Sequence, residues 1–588
     1  MSSGSSPRPG FLAADSTLRV FHSSSFGELR RSSWTGRDSP YSFGFNSRYS
    51  STNSIKYSLS PDPRSWGADL SPDLVEPDDS LHNPGGSPND SEGKQFAFSR
   101  RGVANLGCLA MLSACFLSLF IGYPIGMYAS SRWPTSPGFN IGGINSTGQV
   151  PSMGNFGLID HETPKDVFVK QSYRDGSDWI LVFSDEFNTD GRTFYPGDDP
   201  YWEAADLHYW ATNNLEWYDP AAVTTANGSL VITFSETPSH DLNFQGGLIS
   251  SWNKFCFTGG IFEAAVQLPG TNNVVGMWPA VWTMGNLGRA GYGATLEGMW
   301  PYTYDSCDVG TAPNQTIGGL PVAATINGDH LYNDALSYLP GQRLSRCTCD
   351  GDDHPGPKHP DGSYVGRSAP EIDVFEAQMG GKPLSGEVSQ SAQWAPFDQA
   401  YHWDNSSANM IVSDPSKSTI NGFVGNIIQQ ATSVVTKTNQ RCYESIEDCY
   451  SVYAFEYKPG YDDAYITWVS DGQVSWTLNA GGVAGDSAVE ISARPVPQEP
   501  MYMIINLGMS KNFGSVDFAH LTFPNHLRVD YVRVYQPMNN VNVGCSPPDF
   551  PTEKYIDAHL EAYSNPNLTT WRGDYGTAFP RNKLLETC

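Results

Sequence analysis

The chain has 588 residues and a formal net charge of -27, with 35 Lys and Arg against 62 Asp and Glu. That balance excludes a nucleic-acid partner, because phosphate binding needs a basic surface. Abundant Gly (58) and Pro (42), with 13% aromatic and only 16% charged residues, exclude a helical bundle and suit a loop-rich all-β protein.

Residues 1–102 are rich in Ser, Pro, Gly and Asn and show no sustained periodicity, which predicts a disordered cytoplasmic tail. The tail is neutral, with 11 basic and 11 acidic residues, so the whole negative charge lies beyond it. Within 103–129, the run LGCLAMLSACFLSLFIGYPIGMY (106–128) is 23 residues without a charge, long enough to cross a bilayer core of about 30 Å as a helix. It lies too deep in the chain for an ordinary cleaved signal peptide. Arg100 and Arg101 precede it and Arg132 alone follows closely, so a single-pass type II protein of the secretory pathway is expected, its N-terminus cytoplasmic. Residues 130–175 then read as a Gly/Ser/Pro-rich lumenal stem.

Two features beyond the span agree with that orientation. Five glycosylation sequons begin at Asn145, Asn227, Asn314, Asn405 and Asn567. Eight cysteines beyond the span form an even set in an oxidising compartment. Their pairing is not readable from sequence; Cys442 with Cys449 would close a short loop, and Cys545 with Cys588 would tie down the tail. Cys347-x-Cys349 lacks a matching second pair, so disulfides are expected there rather than a metal, and no cofactor is expected.

Over 176–540, short runs such as WILVFSDEF, GSLVITFSE, GGIFEAAVQLPG and LRVDYVRVYQ alternate or stay apolar between turn residues. They predict a two-sheet antiparallel β-sandwich of jelly-roll type. An insertion, 285–369, interrupts it, and 541–588 forms a Cys-containing extension.

The stretch APEIDVFEAQMG (369–380) places Glu371, Asp373 and Glu376 in the pattern E-x-D-x-x-E. On a strand Glu371 and Asp373 share a face, but Glu376 falls on the opposite one. A β-bulge between Asp373 and Glu376 would return it to its partners. Two glutamates flanking an aspartate supply what a retaining glycosidase needs, a nucleophile and a proton donor. Clustered acids cannot all ionise cheaply, so one stays protonated near neutral pH. In GMWPAVW (276–282), Trp278 and Trp282 would serve either as flat platforms for sugar rings or as core packing.

These blocks, in this order, resemble glycoside hydrolase family 16, the β-glucanase jelly rolls. LVFSDEFN resembles the opening strand, GGLISSWNKFCFTGGIFEAAVQLPG with MWPAVWTMG the cleft, APEIDVFEAQ the catalytic strand and LRVDYVRVYQ the closing strand. The resemblance implies Glu371 as nucleophile, Asp373 as assisting aspartate and Glu376 as acid/base, with Glu263, Trp278 and Trp282 contacting sugar. Where soluble family members carry a histidine just after the catalytic strand this chain reads SAQWAP, so Gln393 or Trp394 takes that place. The tail, span, β-domain and extension together, with SGEVSQSAQWAPFD and ARPVPQEPMYMIINLGMSKNFG, resemble the fungal membrane proteins of cell-wall β-1,6-glucan synthesis. A membrane-anchored retaining glycosidase or transglycosylase of β-glucan is therefore expected. A non-catalytic glucan-binding assembly factor is the alternative.

Overall fold

The computed structural model describes residues 100–118, 120 and 157–588. The expected cytoplasmic tail as far as residue 99, the remainder of the expected span, most of the expected stem and Asn145 lie outside them. Helix Arg100–Leu117, in a unit of its own, covers the start of the expected span. Among the described residues no helix is long and apolar enough to cross a membrane.

Residues 157–588 build a sandwich of one ten-stranded and one twelve-stranded sheet. All strand pairs are antiparallel except Glu216–Tyr218 against Phe244–Ser250. The period-two pattern decides what enters the space between the sheets. Strand Met501–Gly508 turns Met501, Met503, Ile505 and Leu507 inward and presents Tyr502, Ile504 and Asn506 on the other face. Strand Gly260–Gln267, of the opposite sheet, sends in Phe262, Ala264 and Val266.

The sandwich begins earlier than expected. Strand Val169–Gln171 pairs with Asp178–Asp185, and Leu158 is already part of the core, so 158–175 is domain rather than stem.

On its outer face the twelve-stranded sheet carries a second apolar cluster. Ala280, Trp282, Met284, Tyr502 and Ile504 of the sheet meet Leu287, Met299 and Leu344 of the insertion and Tyr555, Tyr563 and Trp571 of the extension. The extension is thus part of the folded domain. Cys256–Cys545 ties its start to the sandwich and Cys349–Cys588 ties residue 588 to the insertion, which corrects the expected Cys545–Cys588 link. Cys307–Cys347 closes a loop inside the insertion, and Cys442–Cys449 is the short loop expected. A buried bidentate pair joins the same parts: Arg367 donates to both Glu499 oxygens at 2.8 Å and to the carbonyls of Gly356 and Pro551.

Candidate active site

The acids lie on strand Glu371–Gly380, inside the twelve-stranded sheet between Trp278–Gly285 and Ser385–Trp394. The expected bulge is present. Asp373 faces Ser391 and Glu376 faces Ser389, so three steps on the acid strand match two on its neighbour. The extra residue lets Val374 and Phe375 both enter the core, and Glu376 rejoins the face of Glu371 and Asp373.

A bulge inside a sheet leaves carbonyls that need donors. Here the donors come from buried side chains. The indole N–H of Trp468, in the opposite sheet, donates to the Asp373 carbonyl at 2.7 Å. The amide of fully buried Gln390 donates to the carbonyls of Val374 (3.1 Å) and Val469 (3.0 Å) and accepts from the Ser475 hydroxyl.

Each acid has its own donors. Trp300, in the insertion, donates its indole N–H to Glu371 Oε2 at 2.7 Å. Trp278 donates to Glu376 Oε1 at 3.0 Å and stacks on Phe513, with ring centres 4.3 Å apart. Asp373 is buried and accepts from the Ser391 hydroxyl (2.7 Å) and the Gln393 amide (3.0 Å). Tyr209 lies within electrostatic reach of all three acids; burial and then the charge of Glu371 hold its hydroxyl far above its usual range.

Burial, then the charges of Asp373 and Glu376, raises Glu371 well above the ordinary carboxyl range. Burial, then Asp373, pushes Glu376 up to about 8, against the pull of the Trp278 bond. Burial raises Asp373 to about 6, opposed by Ser391, Gln393 and Glu371. The interaction between Glu371 and Asp373 raises the first and lowers the second, so Glu371 holds its proton more tightly than Asp373 does. The trio therefore keeps protons near neutral pH.

Trp282, beside Asp373 in register, is fixed from behind. Its indole donates to Asn506 Oδ1 at 2.7 Å, and Asn506 donates to the Tyr218 hydroxyl at 3.2 Å. Asn214 continues the chain, donating to Tyr218 and to Glu216 Oε1 at 2.6 Å. Among the described residues no group of three or more His, Cys, Asp or Glu is placed to hold a metal ion.

The structure thus brings Glu371, Asp373, Glu376, Trp278, Trp282 and Gln393 to one face. Two expected cleft residues are elsewhere. Glu263 alternates with the core residues Phe262 and Ala264 and so faces out from the ten-stranded sheet, paired with Lys170 at 2.6 Å and accepting from Tyr531. Trp394, one step past Gln393, points into the core, where its indole bonds Thr432. Four sequon asparagines, Asn227, Asn314, Asn405 and Asn567, are exposed.

Trp300, Tyr209, Ser391 and Asn506 were not foreseen. A signal existed for the first: the tetrapeptide GMWP occurs twice, at 276–279 and 298–301, and its two tryptophans are the donors to the two glutamates. Ser391, two residues before Gln393, shares its strand face.

A family model described as "Beta-glucan synthesis-associated protein SKN1/KRE6/Sbg1" matches residues 68–588. The beta-glucan synthesis-associated protein SKN1 of Candida albicans is 40% identical over 529 residues, covering 88% of this chain and 67% of that protein. KRE6 of Saccharomyces cerevisiae is 40% identical over 528 residues, covering 88% and 69%. Among solved structures, the laminarinase catalytic domain of Thermotoga maritima aligns at 18% identity with a TM-score of 0.35, over 62% of this chain and 100% of that domain.

Proposed function

Because the chain belongs to the SKN1/KRE6/Sbg1 family of β-glucan synthesis-associated proteins, we propose that it remodels β-glucan during cell-wall synthesis as a retaining glycosidase or transglycosylase. The observation that carries this reading is the bulged strand, which aligns two glutamates around an aspartate and gives each glutamate an indole donor. Binding alone has no use for two carboxyls held in that way.

In the proposed reaction Glu371 first releases its proton to solvent, while Asp373 stays beside it. The Glu371 carboxylate then bonds to the anomeric carbon as the glycosidic C–O bond breaks, and the leaving oxygen takes the proton of Glu376. An acceptor hydroxyl next gives its proton to Glu376 and attacks the same carbon, which releases Glu371. Water as acceptor gives hydrolysis; a glucan hydroxyl gives transfer. The Trp278–Phe513 stack is a surface for the apolar face of a pyranose ring, and Gln393 is a further contact for sugar.

The reading includes a type II anchor in the secretory pathway, with the sandwich on the lumenal side. Four disulfides and four exposed sequon asparagines support that compartment.

The test uses the full chain in detergent beside its Glu371→Gln variant, with β-1,3- and β-1,6-gluco-oligosaccharides. Product size and anomeric form are followed by NMR. Products longer than the substrate, absent in the variant, are expected of a retaining transglycosylase; shorter β-anomeric products alone mark a hydrolase. No turnover, with equal binding by both proteins, overturns the enzymatic reading and leaves a glucan-binding assembly factor.

A further inference from the structure

The repeated GMWP gives each glutamate an indole, but the two tryptophans come from different parts of the fold. Trp278 lies on the strand next to the acids. Trp300 lies in the insertion, 71 residues before Glu371, and something must hold it there.

The segment around it is clamped from two sides. The Met299 carbonyl accepts from the amide of Ala369, two residues before Glu371. Thr303 donates its amide to the carbonyl of Ala395, two residues after Gln393. Trp300 is therefore pinned between the start of the acid strand and the end of its neighbour.

The extension supplies the other side. Leu568 accepts the amide of Ala294, and Glu297 accepts the amides of Trp571 (2.6 Å) and Arg572 (3.1 Å). Fully buried Arg343 stacks 3.7 Å over Trp571 and donates to the carbonyls of Ala294 and Thr295 at 2.9 Å. At Gly298 the backbone has φ +74°, and an added Cβ would meet the Gly341 carbonyl at 2.8 Å and the Phe579 ring at 2.8 Å. The turn leading to Trp300 thus takes only glycine comfortably.

We propose that Trp300 is a positioning residue for Glu371, held in place by the insertion and the C-terminal extension together. Its N–H fixes Oε2, leaving the other carboxylate oxygen for the anomeric carbon, and favours the ionised form that attack requires. The insertion and the extension are thereby supports of the reacting group. This inference rests on the reading of Glu371 as nucleophile.

The variant is Trp300→Phe, which keeps a ring and loses the donor. The full chain in detergent is treated with a water-soluble carbodiimide and an amine across a pH series, and labelling of Glu371 is read by peptide mass spectrometry. Only the protonated carboxyl reacts, so the midpoint reports its ionisation without turnover. Asp373 and Glu376 of its own strand, Tyr209, and Tyr502 from Met501–Gly508 also act electrostatically with Glu371, and all are the same in both proteins. Loss of a donor to a carboxylate is expected to move the midpoint up by about one pH unit. An unchanged midpoint overturns the proposal.

If Trp300→Phe does not fold, Glu297→Gln carries the test. It weakens the hold of the extension on the segment without touching the three acids, and a smaller shift in the same direction is expected; no shift overturns the proposal. Absence of turnover in the unmodified chain would refute the enzymatic reading alone, so the two failures are read separately.

Discussion

Glu216 is fully buried behind the candidate site, with Asn214 and the amide of Met509 as its donors. Burial pushes its carboxyl up to about 8 from an ordinary 4.5. A carboxyl with a raised folded-state pKa binds its proton more tightly in the native state, so its contribution is complete below about pH 4.5 and is lost as pH rises through about 8. Thermal unfolding of wild type and Glu216→Gln should therefore differ in slope. Between pH 5 and 8 the difference in Tm moves in favour of the variant, whatever the offset from altered hydrogen bonds; parallel curves would show that Glu216 is already ionised in the fold. The same sign holds for Glu371 and Glu376, whose proton retention suits an acid/base and opposes a nucleophile. The indole of Trp300 acts against that opposition at Glu371.

At the level of elements, the bulge depends on the two side chains that meet its carbonyls. Gln390→Leu keeps the volume close but strips donors from Val374 and Val469 and an acceptor from Ser475. Each buried group left alone costs about 1–3 kcal/mol, so a loss of about 3 kcal/mol or more is expected in denaturant unfolding. A loss under about 1 kcal/mol would mean that the bulge finds other donors. This strand also shows what a sequence carries. The three-step gap between Asp373 and Glu376 states the bulge outright, because strand periodicity is a local rule. Period two also separates Gln393 from Trp394, yet only the pairing with strand Gln429–Lys437 and the core beneath it determine which of the two faces inward. Glu263 has a clean local pattern as well, but the sheet to which its strand belongs is set by partners about 190 and 270 residues away along the chain. Trp300 lay beyond local reasoning for the same cause, apart from the trace left by a repeated tetrapeptide.

Across the whole molecule, the sandwich, insertion and extension behave as one construction because buried polar links cross between them. Arg367 is the clearest, joining Glu499, Gly356 and Pro551. Arg367→Met would leave Glu499 buried without its cation, a change that costs about 3–5 kcal/mol. Chemical denaturation of the two proteins measures it; a cost under about 1 kcal/mol would mean that water reaches Glu499. The fold class was legible from composition and strand rhythm, since both are properties of every segment. The part played by the insertion and extension was not, since their contacts are with each other and with strands far away along the chain.

Cys349 and Cys588 are 239 residues apart along the chain. A polypeptide is made from its N-terminal end, so the loop carrying Cys349 is delivered long before the cysteine that secures it. The closing strand Asn525–Pro537, partner of Asp178–Asp185, is also made late. During synthesis the acids and their loop are present while the pieces that hold them are still to come. On the proposed reading, a nascent chain carries the reactive groups but not their alignment, and competence for chemistry arrives only after Cys588 has been translated.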